Sequence, residues 1–285
     1  STLDRSSAAS DVYKRQIEFL ERWSIVTNLN KVHDLATAWV KEAGSQIASQ
    51  LNQDLSVETK TGPNDLVTNL DVQTEKFLTG KIRANFPNHR IVSEEGFGDK
   101  LSDLKGPVWF VDPIDGTLNF VKQRENFCIM LAFYEDGVGQ LAYIYDLVGD
   151  RFYHVIKGQG AYCNDNPITG LLDRRLDQGL LAFNSKILID SSRTKLQGLL
   201  DQTLGLRLYG SAGMEAMEVL MSRTVAYIAS HLKPWDYAPA AVFMAEMGGK
   251  LSDFQGQDPD FLTESEIIIA NKLAHQEILD HLHQK

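Results

Sequence analysis

The sequence predicts a mixed fold of the α+β / α/β kind, with an antiparallel sheet in the N-terminal half and a mixed sheet in the C-terminal half. Two patterns predict it. Between Cys128 and Ile156, apolar stretches of strand length are separated by short turns, which is a β-meander. After Leu171, strand-like and helix-like segments alternate to the end. No low-complexity linker parts the halves, so they are expected to join into one unit.

In chain order, Ser1 to Gln16 is rich in Ser, Ala and charge without an apolar period, and is expected to be a disordered arm or an extraneous addition. The expected organisation is therefore 1–16 as the arm, 17–170 as an α+β half and 171–285 as an α/β half. From Ile17 to about Gln53 the apolar spacing is helical, through Trp23, Trp39, Ile47 and Leu51. Glu58 to Asn64 reads as a polar turn around Gly62 and Pro63. A second helix is expected with Asp71 as its N-cap, ending before Pro87. Val108 to Val111 reads as a buried strand. The meander follows as Cys128 to Tyr134, Val138 to Tyr145 and Arg151 to Ile156. Strands are then expected at Leu180 to Asn184, Arg207 to Tyr209, Val225 to Ala229, Lys250 to Ser252 and Ile267 to Ala270. Helices fall near Gly213 to Ser222, at Trp235 to Met247 and at the end, to His283.

Composition narrows the function. The 285 residues hold 38 acidic and 28 basic side chains, for a formal net charge of -10. That balance argues against a protein that coats nucleic acid or an anionic membrane. No apolar run approaches the roughly 18 residues that span a bilayer. Two cysteines, Cys128 and Cys163, exclude a disulfide scaffold and a cysteine-rich zinc site, and fit a reducing, cytoplasmic setting.

The most informative run is DPIDGT, Asp112 to Thr117, directly after the strand VWFV. Its two aspartates stand three apart across Pro113, so both carboxylates are able to face one point at the strand's end. Gly116 lets the backbone approach a ligand, and Thr117 adds a hydroxyl at a helix start, where free N–H groups favour an anion. Carboxylates beside bare backbone donors suit a phosphate bridged by Mg²⁺, which takes hard oxygen ligands. The plainer alternative is an Asp-Pro turn in which Asp115 caps a helix. Glu94 and Glu95 follow a strand, and the pair taken alone reads as a solvated loop. Asp71 and Asp236 each read as an N-cap, with Pro239 in a first helical turn. All four places lie where one element hands over to another, where α/β proteins set their ligands.

Four segments, DLVTNLD (Asp65 to Asp71), SEEG (Ser93 to Gly96), WFVDPIDGTLNF (Trp109 to Phe120) and PWDYAPA (Pro234 to Ala240), stand in the order and spacing of the inositol monophosphatase family. The chain resembles that lithium-sensitive, magnesium-dependent sugar-phosphatase superfamily, in its bacterial form, over Ile17 to Lys285. The fold implied is a layered α-β-α-β-α sandwich. The resemblance implies that Glu94, Asp112 and the Ile114 carbonyl bind a first Mg²⁺, and that Asp112, Asp115 and Asp236 bind a second. Asp71 and Glu94 would hold waters on a third, with Mn²⁺ a possible substitute for the metal. It implies further that Gly116 and Thr117 present amides to the phosphate. The Thr117 hydroxyl, with Asp71 or Glu94, would orient an attacking water, and Asp115 and Asp236 would also border the substrate. Lys60 matches a lysine on the family's mobile lid; a free surface lysine is the alternative.

The implied activity is hydrolysis of inositol monophosphate or a related small sugar phosphate by a metal-activated water. Fructose-1,6-bisphosphate, the 2'-phosphate of NADP and 3'-phosphoadenosine nucleotides are alternative substrates. A catalytically silent scaffold is the non-enzyme alternative, and a homodimer the implied assembly. No covalent nucleophile is expected: GSAG at Gly210 to Gly213 lacks the spacing of a nucleophile elbow. Three positions depart from the animal-type pattern. Ser93 replaces a Gly, Ala229 replaces a Glu that contacts an inositol hydroxyl, and Lys233 with Pro234 precedes Trp235. The lysine is expected to offer a cation near the pocket mouth. Loss of the glutamate is expected to relax selectivity. Six acids (Asp71, Glu94, Glu95, Asp112, Asp115 and Asp236) fall to this one site, and without them the charge would be only -4.

Overall fold

A computed structural model describes residues 29–51, 53, 56–60 and 66–284. The expected arm at 1–16, the start of the first helix at 17–28, and Gly62 and Pro63 of the expected lid turn lie outside the described residues. The chain divides into two compact units, Ser1–Trp39 and Val40–Lys285. The described part of the first, residues 29–39, is helical.

The second unit opens with helical residues 40–48 (α1), where Val40, Ala43 and Ile47 are buried at the three-to-four spacing of one helix face. Gly44 lies on that face because a Cβ there would run into the Tyr145 ring. A two-stranded antiparallel ribbon, β1 (Val57–Thr59) and β2 (Leu66–Thr68), leads into α2 (Asn69–Asn85). The N-cap of α2 is Thr68 rather than Asp71. Thr68 Oγ1 accepts from the amides of Leu70 and Asp71, and Asp71, at the third helical position, accepts from the Thr68 amide at 2.8 Å. This reciprocal capping box satisfies helix-end donors that would otherwise be orphaned.

The first large sheet has seven strands in sequence order: β3 (Arg90–Ser93), β4 (Pro107–Asp115), β5 (Cys128–Glu135), β6 (Val138–Asp146), β7 (Arg151–Ile156), β8 (Gly160–Cys163) and β9 (Asn166–Pro167). Every neighbouring pair is antiparallel except β3 and β4, which run parallel. Strand β4 runs four residues beyond the expected Val111, so the DPID run is strand, not turn. Helix α3 (Thr117–Lys122) follows at once.

The second sheet has the order β11-β10-β12-β14-β13, built from β10 (Leu180–Phe183), β11 (Gly205–Arg207), β12 (Ala226–Leu232), β13 (Lys250–Ser252) and β14 (Ser265–Ala270). Strands β11, β10 and β12 are parallel, and β14 is antiparallel to both its neighbours, so this sheet is mixed.

Helices α6 (Ala212–Leu220) and α7 (Pro234–Met247) fill the space between the sheets. Helix α7 touches β4, β5 and β6 on one side and β13 and β14 on the other, while α6 touches β5 and β12. Helix α2 packs on β4 of the first sheet, while α4 (Ser185–Ile189) and α8 (Lys272–His283) pack on β12 and β14 of the second. Within this unit the layers therefore alternate α-β-α-β-α. One core joins Phe110, Met130 and Ile144 of the first sheet through Met217 and Phe243 to Tyr227 and Ile269 of the second. Each such side chain contributes about 1.5–3 kcal/mol relative to leaving it exposed. Being covered on both sides, α7 is apolar nearly all round; Pro234, Tyr237, Ala238, Pro239, Val242 and Phe243 are all buried. Pro239 lies beyond the first turn of α7, in the helix interior, where it removes one backbone hydrogen bond. No helix among the described residues is long and apolar enough to cross a membrane.

Candidate active site

The DPID strand carries an irregularity that decides where its carboxylates point. Asp112 lies opposite Met130 on β5, and Asp115 opposite Cys128, so β4 spends three steps where β5 spends two. In a regular strand, residues three apart face opposite sides. The one extra residue is a bulge that restores the phase, and both aspartates then face the same way. Pro113 sits inside the bulge, where the ladder needs no donor from it. From the other side, α7 delivers Asp236 from its third helical position, not from an N-cap. The cap is Lys233, whose amide donates to Asp236 Oδ2 at 2.7 Å. One carboxylate oxygen each from Asp112, Asp115 and Asp236 lies within 4.8 Å of the others.

Three carboxylates at that spacing, two of them buried and Asp236 partly buried, repel one another. Burial, then the neighbouring acids, raise Asp112 and Asp236 well above the ordinary carboxylate range. Burial also raises Asp115, but the Ser211 hydroxyl and two amides pull it back. Ser211 Oγ and the Gly213 amide donate to Asp115 Oδ2, the latter at 2.7 Å, and the Ala212 amide donates to Oδ1 at 3.1 Å. These donors are the start of α6, so the helix's positive end holds this carboxylate. Sequence reasoning missed this. GSAG was tested only as a nucleophile elbow, and nothing local announces a partner almost a hundred residues upstream.

A second set of groups adjoins the first. Glu94 lies beside Asp112, within reach of a carboxyl–carboxyl hydrogen bond. Lys60 Nζ contacts Glu94 Oε1 at 2.9 Å and Glu95 Oε1 at 2.6 Å, so the lysine is paired across the site and not a free surface cation. Burial works against its charge, yet the two glutamates hold the ammonium above its usual range. Burial raises Glu94 too, against the pull of Lys60. Asp71 is fully buried, which pushes it up to about 6 although Thr68 donates to it. The Thr117 hydroxyl is 3.2 Å from Asp71 Oδ1 and 3.0 Å from the Ile114 carbonyl. Gly116 has φ 88°, and a Cβ there would come within 3.0 Å of both the Asn126 carbonyl and the Ser211 side chain, so the turn requires glycine.

The structure thus brings together all the residues singled out at this site: Lys60, Asp71, Glu94, Asp112, Ile114, Asp115, Gly116, Thr117 and Asp236. Another residue, Glu75, was not anticipated. It is completely buried on α2, one turn after Asp71, and its carboxylate receives three donors from the segment bearing Glu94. Lys233 does not stand free at a pocket mouth, because its ammonium is paired with Glu264 at 2.8 Å. A cavity of about 620 Å³ lies away from the carboxylates, among residues such as Tyr134, Val242, Met244 and Phe261.

Hard oxygen donors, clustered, buried and short of counter-charge, fit a divalent cation better than any other group. The fold and the site together define an α/β protein with a carboxylate cluster able to hold a divalent cation. The chain belongs to the inositol monophosphatase family, whose profile matches residues 28–285. It is 40% identical over 264 residues to inositol-1-monophosphatase of Bacillus subtilis (strain 168), covering 91% of this chain and 100% of that protein. A crystal structure of an IMPase/NADP phosphatase complexed with Mg²⁺ and phosphate superposes with a TM-score of 0.84 at 31% identity, covering 90% of this chain and 97% of the other. A lithium-soaked inhibitory complex of staphylococcal inositol monophosphatase-1 gives 0.84 at 31% identity, over 90% and 96%.

Proposed function

We propose that this chain is a Mg²⁺-dependent phosphomonoesterase acting on inositol monophosphate and related small sugar phosphates. The observation that carries the reading is the convergence of Asp112 and Asp115 from β4 and Asp236 from α7 to within 4.8 Å. Asp112, Asp115, Asp236, Glu94 and the Ile114 carbonyl would hold two cations, and Asp71 with Glu94 would support a third through water; Mn²⁺ would be a substitute. Bound there, the ions supply a hydroxide-like nucleophile near neutral pH and offset charge on the phosphoryl group.

The protein's own groups orient the reaction. The Thr117 hydroxyl and Asp71 Oδ1, 3.2 Å apart, position the attacking water, and the Asp71 carboxylate is placed to take its proton. The amides of Gly116 and Thr117 face the phosphate oxygens, and Asp115 and Asp236 border the substrate. Lys60 closes against Glu94 and Glu95 from the ribbon. The leaving alcohol departs without any covalent enzyme intermediate.

Substrate range is the open choice. Ala229, buried seven residues before Asp236, offers no carboxylate to a sugar hydroxyl, which favours breadth. The likeness to an IMPase/NADP phosphatase supports a second reading in which the 2'-phosphate of NADP is also removed. Initial rates of phosphate release from inositol-1-phosphate, fructose-1,6-bisphosphate, NADP and 3'-phosphoadenosine-5'-phosphate, each with and without Mg²⁺, decide among these. No release from any would leave the scaffold reading. We take the working form as a homodimer, to be checked by sedimentation, and the setting as the cytoplasm, in keeping with two unpaired cysteines.

A further inference from the structure

Glu75 is a buried carboxylate that touches none of the reacting groups, and all three of its hydrogen bonds go to one segment. Oε1 accepts from the Ser93 hydroxyl at 2.5 Å and from the Phe97 amide at 2.9 Å, and Oε2 accepts from the Glu95 amide at 2.5 Å. These donors bracket Glu94. Between the two amides lies Gly96, whose φ of 89° turns the chain so that both N–H groups converge on one carboxylate. The loop is thus wrapped around Glu75 from within. Glu94 is left pointing outward, beside Asp112 and against Lys60.

The origin of Glu75 matters as much as its contacts. It stands one helical turn after Asp71, on the same face of α2. Asp71 reaches Thr117 at the end of the DPIDGT run, and Glu75 reaches the SEEG loop. One rigid 17-residue helix therefore sets the distance between the segment carrying Asp112 and the segment carrying Glu94. A buried carboxyl group is costly unless it is hydrogen-bonded, and a loop supplying three donors meets that cost only in one position. The geometry points to Glu75 as a positioning residue: it fixes Glu94 in register with Asp112, and so sets the affinity for divalent cation without entering the reaction. This rests on the metal-dependent reading above.

The test is a Mg²⁺ titration of full-length wild type, Glu75→Gln and Ser93→Ala. It is read as phosphate release from inositol-1-phosphate and as the Mg²⁺-induced rise in melting temperature without substrate. Glu75→Gln places an amide N–H₂ against a donor. Its half-saturating Mg²⁺ is expected to rise about tenfold or more in both readouts, with kcat at saturating Mg²⁺ retained. Ser93→Ala removes one of the three bonds and is expected to raise it roughly two- to tenfold. A Glu75→Gln protein that melts lower without metal but keeps the wild-type Mg²⁺ midpoint has lost only stability, and overturns the proposal. If Glu75→Gln does not fold, an unchanged midpoint in Ser93→Ala overturns it. Wild type that hydrolyses nothing but still gains melting temperature with Mg²⁺ counts against the hydrolase reading, and the shift in midpoint is still read from melting alone.

Discussion

The Thr117 hydroxyl stands between Asp71 Oδ1, at 3.2 Å, and the carbonyl of Ile114, at 3.0 Å, and has one proton for two acceptors. A residue at the end of the signature strand is thereby linked to the first turn of α2, 46 positions earlier. Thr117→Ala is expected to lower kcat roughly a hundredfold or more, because the water loses one of its two orienting groups. Thr117→Ser keeps the hydroxyl and should stay near wild type. Steady-state phosphate release on both variants checks this, and equal losses would point to the methyl group instead.

Asp236→Asn removes one negative charge from a buried cluster. Turnover should vanish, while the metal-free protein should melt higher by about 2 °C or more as like-charge repulsion is relieved. The rise in melting temperature on adding Mg²⁺ should shrink. Scanning calorimetry with EDTA and with Mg²⁺ measures both, and a variant that keeps wild-type turnover would rule out Asp236 as a ligand.

The metal-free protein should carry a pH signature of Asp71. Its folded pKa of about 6 lies above the 3.8 of an ordinary aspartate, so the native state holds the proton more tightly than the unfolded chain. Stability from this group is complete below about pH 4 and is lost as the pH rises towards 6. The loss is of order 3 kcal/mol. The difference in stability between wild type and Asp71→Asn in EDTA should fall over that window. A difference that stays flat from pH 4 to 6 would contradict the assignment.

Gly213→Ala tests the grip of α6 on Asp115. A Cβ there would meet Cys128 Sγ at 2.5 Å, Met130 Sδ at 2.9 Å and Asp115 Oδ2 at 3.3 Å. Overpacking should cost about 1–3 kcal/mol and push the helix start away from the carboxylate. Chemical denaturation gives the stability, and the Mg²⁺ dependence of the rate should worsen with it.

Removal of metal offers the simplest control. EDTA should silence the enzyme, Mg²⁺ should restore it, and millimolar Li⁺ should inhibit. Full activity in EDTA would refute the metal centre.

Much of this site was legible because its chemistry is compressed into short runs. DPIDGT and PWD place carboxylates at element ends, and the meander announces itself by alternation. What stayed hidden lies in relations between distant segments. Asp71 and Asp236 looked like caps because cap residues and third-position acids share a composition, and only the backbone angles of Thr68 and Lys233 separate them. The partners of Glu75 and Ser211 are not legible in the sequence, because a buried acid on a helix and a serine before one carry no local mark of what they touch. The parallel pairing of β3 and β4 was equally out of reach, since strand direction is set by the path of the intervening chain and not by residue pattern. The three-residue strand β1 is exposed along its length and has no alternation to read.

The bulge at Pro113 has a consequence for how this chain is able to vary. Side-chain direction along a strand is a two-valued quantity, and the extra residue between Asp112 and Asp115 acts as a half-wave plate that flips it once. Substitutions inside the run alter the strength of the centre, but insertion or deletion of a single residue would turn one ligand into the opposite layer and leave no centre at all. The four-residue spelling from Asp112 to Asp115 is therefore fixed first in its length, and only then in its letters.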